Sequence, residues 1–209
     1  MKITCISDTH SQYKKLILPK ADILIIAGDI DLWEKTREVV DFNIWLDKQN
    51  YKYKIIIAGN HDRFIYENNS LFRALIHNYI YLENSGCEIE GIKIWGSPIT
   101  PRFNDWFFME DRDKIQRYWN MIPNDTDILV THGPAWGYGD KIKRGNILYQ
   151  CLGCTSLLET VERIKPKYHI FGHIHGSYGI EKNEYTTFVN CSVCNEEYEL
   201  VNAPIELEI

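Results

Sequence analysis

An α/β sandwich of mixed sheets flanked by helices is the fold class this sequence predicts, and three observations carry the prediction. Short aliphatic runs alternate with helix-spaced segments through the first half of the chain, the pattern of strand and helix laid down in turn. The second half is richer in strand-like runs separated by turn residues. Five of the apolar runs end on polar residues of metal-ligand or proton-transfer type, which points to one shared site.

The five run endings differ in what they deliver. Lys2-Ile6 leads into Asp8-x-His10, a spacing that lets two side chains of one turn reach the same ion, and Ile23-Ala27 leads into Gly28-Asp29. Lys54-Ala58 closes on Gly59-Asn60-His61-Asp62: an amide, an imidazole and a carboxylate able to orient it. Asp127-Val130 delivers Thr131-His132, and Tyr168-Phe171 delivers Gly172-His173-Ile174-His175. Between these strands the spacing predicts helices over Gln12-Leu18, Glu34-Lys48, Ser70-Ile76 (Ser70 a candidate N-cap), Arg112-Trp119 and Thr155-Ile164, the last stopped by Pro166. The Glu34-Lys48 helix shows a broad apolar stripe of Val39, Val40, Phe42, Ile44, Trp45 and Leu46. Tyr79-Leu82 reads as a short strand, and Glu88-Glu90 and Ile92-Trp95 as an antiparallel pair around Gly91. A hairpin turns near Lys182-Glu184, and Glu197-Val201 and Ile205-Ile209 alternate as edge strand.

At 209 residues, 44% hydrophobic and 25% charged, the chain has the make-up of a globular protein with a sizeable core. A single domain over residues 1–209 is expected, with no repeat or linker. The net charge of −6 disfavours long nucleic acid held by phosphate neutralisation. A nuclease stays open, because a two-metal site brings its own positive charge. No apolar stretch approaches the roughly 20 residues that span a bilayer. Met1-Lys2 runs straight into a core strand, so a cytoplasmic protein without a signal peptide or membrane contact is expected.

Two further features invite two readings each. Cys151/Cys154 and Cys191/Cys194 have the paired spacing of a structural zinc site, but their wide separation and the complete core around them favour buried, reduced thiols. Gly96 to Phe108 is a proline-containing loop that carries Phe103, Trp106, Phe107 and Phe108. It packs onto the domain by its own side chains, or it presents an aromatic wall, with Phe103, Asn104, Trp106 and Phe107 as candidate substrate contacts.

Taken singly, an Asp after a strand is a turn former and a His near a strand end is a hydrogen-bonded structural residue. Together Asp8, His10, Asp29, Asn60, His132, His173 and His175 offer carboxylate, amide and imidazole without thiolate, which suits manganese, iron or zinc rather than calcium. Seven candidates are too many for one ion and suit two ions sharing a carboxylate, for which Asp29 is the choice. Five of the seven histidines fall in these motifs, and His77 and His169 read as structural.

The ordered set of Asp8-x-His10, Gly28-Asp29, Gly59-Asn60-His61-Asp62, Thr131-His132 and Gly172-His173-x-His175 resembles the calcineurin-like metallophosphoesterase superfamily. Thr131-His132-Gly133-Pro134 and Pro98-x-x-Pro101-x-Phe103-Asn104-x-Trp106 are similar to its metallophosphoesterase-domain-containing, cyclic-nucleotide phosphodiesterase subgroup. The resemblance implies a four-layer α/β/β/α sandwich and two divalent ions, manganese foremost, with iron, zinc, nickel or cobalt as alternatives. It implies one ion on Asp8, His10, Asp29 and His175, and the other on Asp29, Asn60, His132 and His173. It also implies a catalytic His61 with Asp62 holding its ring. The expected activity is hydrolysis of a small nucleotide phosphodiester by a hydroxide between the ions. Phosphomonoesterase, short-substrate nuclease and non-catalytic scaffold are the alternatives. The oligomeric state stays open, a homodimer included.

Overall fold

The computed structural model describes residues 1–144 and 147–209. In chain order the strands begin with β1 Lys2–Ile6, β2 Ile23–Ala27, β3 Tyr53–Ile57, β4 Ile80–Tyr81, β5 Ser85–Ile89, β6 Ile92–Ser97, β7 Thr100–Pro101 and β8 Met109–Glu110. They continue with β9 Ile128–Thr131, β10 Lys141–Arg144, β11 Ile147–Cys151, β12 Tyr168–Phe171, β13 Gly179–Lys182, β14 Thr187–Asn190 and β15 Ile205–Glu208. The α-helices are α1 Thr36–Asp47, α2 Arg63–Glu67, α3 Asn69–Leu75, α4 Gln116–Trp119 and α5 Thr155–Ile164.

Both principal sheets are mixed. The five-stranded sheet runs β15-β1-β2-β3-β4, parallel except for β15 at its edge. The six-stranded sheet runs β13-β14-β12-β9-β6-β5, with a parallel centre and antiparallel β13 and β5 outside. Strands covered on both faces need apolar residues at every position, which is why β2 is an unbroken Ile-Leu-Ile-Ile-Ala run. Alternation then sorts each strand between two cores. Ile3, Cys5, Ile25, Ile55 and Ile57 of the first sheet cluster with Ile94, Ile128, Val130, Ile170 and Val189 of the second. Leu24, Ile26 and Ile56 face the other way, toward the core that holds Val39, Phe42 and Leu46 of α1. Leu129, Phe171 and Phe188 do the same on the far side, with Trp119 of α4 and Leu157 and Val161 of α5. The order is helix, sheet, sheet, helix.

Parallel strands side by side bring their C-terminal ends to one edge. Beyond β1, Ser7 bridges to Ser192, which follows β14, so the two sheets are tied together there. The loops after β1, β2, β3, β9 and β12 therefore open at one rim. No helix among the described residues is long and apolar enough to cross a membrane.

Several local expectations need correction. Gln12-Leu18 forms only a 3-10 turn at Tyr13–Lys15, because the chain turns extended at Leu16. In α1 the buried face is narrower than the sequence stripe: Val40 and Ile44 are 41% and 50% exposed. Ser70 is not a cap; Asn68 precedes α3, directly after the unforeseen α2. Only Gln116–Trp119 of the Arg112-Trp119 segment is α-helix. The proline loop contains β7, paired with β8. The β10–β11 hairpin was not anticipated, and Glu197-Val201 is a turn rather than a strand. All six cysteines are free thiols. Among the described residues none joins a metal-type cluster.

Candidate active site

The loops at the rim are built around carboxylates pressed against backbone. A Cβ on Gly172 would meet Asp8 Oδ2 at 2.0 Å, and one on Gly59 would meet Asp29 Oδ1 at 2.2 Å, so neither position tolerates a side chain as built. Asp8, His10, Asp29 and His173 all hold positive φ, at 55°, 40°, 51° and 69°. That left-handed conformation is costly for non-glycine residues and concentrates at functional sites.

Two sets of atoms converge. In the first, His175 Nδ1–H donates to the Asn195 carbonyl at 2.8 Å, which turns its Nε2 lone pair inward. That Nε2 lies 3.3 Å from Asp8 Oδ1 and 3.3 Å from His10 Nε2. In the second, His132 Nδ1–H donates to the Ala27 carbonyl at 2.9 Å, and its Nε2 faces Asn60 Oδ1 at 3.0 Å and Asp29 Oδ1 at 3.3 Å. The other oxygen of Asp29 stands 4.0 Å from His10 Nε2, so Asp29 lies between the sets. Asp8-His10-His175, His10-Asp29-His61 and Asp8-Asp29-His132 each gather ligand-type atoms within 4.8 Å. Several acceptors facing one another in a buried place repel unless protons or cations lie among them.

The electrostatics fit that crowding. Burial works to raise both carboxyls, but the His175 hydrogen bond and nearby histidine charge hold Asp8 far below the usual range. The charge and hydrogen bond of His132 hold Asp29 at about 2. Burial opposes charge on His132, yet Asp29 beside it lifts the imidazole to about 9. Burial, reinforced by the charge on His132, pushes His173 down to about 3. Its ring centre is 5.0 Å from that of His132, and its backbone N–H donates to both oxygens of Asp8.

His61 lines the cavity above these sets, which measures about 370 Å³. Its backbone N–H donates to Asp29 Oδ1 at 2.8 Å, and its ring lies 4.2 Å from Trp106 and 4.9 Å from His10, centre to centre. The expected Asp62–His61 ring contact is not there. The Asp62 carboxylate is buried and turned back, accepting backbone N–H groups of Ile30, Asp31, Leu32 and Gly59. It fixes the loops after β2 and β3 against each other, and Trp106 borders the His61 ring instead.

Of the four aromatic-loop residues, Phe103, Asn104 and Trp106 line the cavity. Phe107 does not: it packs between Trp33 and Tyr66 and donates its backbone N–H to the Asn60 carbonyl. The sequence reading also missed Tyr198, whose ring centre is 4.6 Å from that of His10, and Glu196 and Ile142 on the cavity wall. It missed Ser192, whose hydroxyl donates to Asp8. Tyr198 holds φ at 61° in a turn knotted by Asn195, a position that no hydropathy pattern marks. Of the two histidines set aside, His77 is exposed on Asp47, and His169 is buried with Nε2 on Thr131 Oγ1.

Two sheets between helices, with histidines and carboxylates at one strand-end rim, define a metal-dependent hydrolase. The chain belongs to the calcineurin-like phosphoesterase family, whose description matches residues 1–177. Metallophosphoesterase domain-containing protein 1 of Homo sapiens is 39% identical over all of this chain and 71% of its own length. One solved structure superposes with a TM-score of 0.64 at 14% identity, covering 90% of this chain and 89% of its own. A structure described as a novel archaeal phosphodiesterase superposes at 0.50 with 15% identity, covering 99% of each chain. These two likenesses bear on the fold alone.

Proposed function

We propose that this phosphoesterase is a phosphodiesterase that uses two divalent cations, manganese foremost, on a small nucleotide, with cyclic nucleotides the first candidates. The observation that carries the reading is the pair of converging sets that share Asp29. Asp8, His10, Asp29 and His175 would hold one cation, and Asp29, Asn60, His132 and His173 the other. A mixture of carboxylate, amide and imidazole without thiolate suits manganese, iron or zinc. Bound there, two cations supply Lewis-acid charge to a phosphate and make water a usable nucleophile at neutral pH.

The chain's own residues do the rest. Ala27 and Asn195 hold the Nδ1–H of His132 and His175, so that a cation displacing the other proton would meet an Nε2 lone pair on each. Ser192 and the His173 backbone hold Asp8, and the His61 backbone holds Asp29. The His61 ring, bordered by Trp106 and lining the cavity, would give a proton to the departing alkoxide. Phe103, Trp106 and Tyr198 give the cavity aromatic walls. A −6 chain whose cavity includes Glu196 is poorly suited to a long polyanion.

Hydrolysis of bis-p-nitrophenyl phosphate, p-nitrophenyl phosphate and 2′,3′-cyclic AMP with added manganese tests this reading. Preference for the two diesters is expected. Preference for the monoester would make the protein a phosphatase, and turnover of none by the metal-bound protein would end the small-diester reading.

A further inference from the structure

Beside the candidate active-site cavity lies a second one of about 230 Å³. Phe103, His173 and Ile174 line both, so the two adjoin across a shared wall. The second is different in kind. Its walls are mainly Pro101, Phe103, Pro134, Leu152 and Ile174, with Arg102 and Arg112 at the border, and among the described residues no carboxylate lines it. Arg112 borders it, but its guanidinium is committed: Nη1 donates to the Gly153 carbonyl and Nη2 to the Leu152 carbonyl, each at 2.9 Å. A guanidinium held in this way offers a fixed planar face for stacking rather than free donors for an anion. Gly133 lies at the junction. A Cβ there would meet Thr100 at 3.1 Å and the His173 ring at 3.8 Å, so the bare backbone leaves room next to His173.

Small-ligand sites run to roughly 300–1,000 Å³ and combine mostly apolar walls with a few fixed polar groups. The second cavity falls below that range, with room for a single ring system rather than an extended chain. The carboxylates and most of the histidines that would fix a phosphate through cations lie at the first cavity. Arg102 at the second is paired with a carboxylate, its Nε donating to Asp111 Oδ1 at 2.7 Å. An ester bound at the first cavity has to place its organic substituent somewhere, and the adjoining space is walled by Phe103, two prolines and aliphatic side chains. We propose that this pocket receives the aromatic ring of the ester's substituent and so selects aromatic over aliphatic phosphate esters. The proposal rests on the phosphoesterase reading.

Calorimetry on the manganese-loaded protein tests it with inorganic phosphate, ribose 5-phosphate and adenosine 5′-phosphate. Adenosine 5′-phosphate is expected to bind at least tenfold more tightly than ribose 5-phosphate. Leu152→Trp fills the pocket and is expected to bring the two within twofold while phosphate binds as before; Leu152→Phe serves if the larger side chain prevents folding. Equal affinities in the parent protein, or a tenfold gap that survives both substitutions, would overturn the proposal. So would a gap abolished by Trp106→Ala and untouched at Leu152, which would put the ring on the other wall. Failure of inorganic phosphate to bind would sink the phosphoesterase reading itself, and the pocket assignment with it.

Discussion

Single side chains at this site are governed by where their protons are sent. His169 shows the logic away from the candidate ligands. Thr131 Oγ1 donates to the Gly133 carbonyl at 2.7 Å, so it accepts from His169 Nε2–H at 2.8 Å. Among the described residues the buried His169 Nδ1 meets no partner, and burial pushes the imidazole down to about 3. The unfolded chain, with His169 near 6.5, binds the proton that the folded chain refuses. Stability is therefore complete above about pH 6.5 and falls as acid is added, by about 1.4 kcal/mol per pH unit from this group. Urea melts of chelator-treated protein should show His169→Gln losing that share of the slope between pH 6 and 4; an unchanged slope would refute the assignment. For His61, substitution by Ala should lower turnover by about 10²–10⁴-fold with manganese stoichiometry unchanged. Loss of metal together with activity would make it a ligand instead. The ligand-type residues that follow the aliphatic runs were legible from that place, whereas Glu196 on the cavity wall was not. The role of Asp62 was not, because sequence neighbours need not face each other and its carboxylate satisfies four backbone donors elsewhere.

Among elements, those that read clearly in sequence are the ones whose pattern is set by burial on known faces. α5 is the clearest: Leu157, Thr160, Val161 and Ile164 repeat along one side, and Lys165 takes the left-handed turn at φ 50° before Pro166. The β1, β2 and β12 runs were equally plain. The β10–β11 hairpin was not, since its strands pair with each other outside both principal sheets. The Asn195–Tyr198 turn was invisible for a related reason: side-chain-to-backbone bonds of Asn195 hold it, not hydrophobic period. Loop packing at the rim gives the element-scale prediction. Gly172→Ala drives a methyl into Asp8 and Ser7, and should cost about 1–3 kcal/mol of stability and at least tenfold in manganese affinity. Parent-like melting and metal binding in that variant would show that the rim is looser than the close contacts at Gly172 imply.

Over the whole molecule, the sandwich serves the site by bringing five strand ends to one rim. The inter-sheet core of aliphatic side chains fixes the sheets, and the Ser7–Ser192 bridge locks them where the ligand-type residues emerge. A cation bound by the folded chain and not by the unfolded one adds to stability as RT ln(1 + [L]/Kd), so melting should rise with manganese concentration. The central claim is that Asp29 joins two cation sites into one centre, and manganese titration of the chelator-treated chain and of Asp29→Ala tests it most directly. The account predicts two ions per chain for the parent protein and no more than one for the variant. One ion in the parent, or two retained without Asp29, would contradict it.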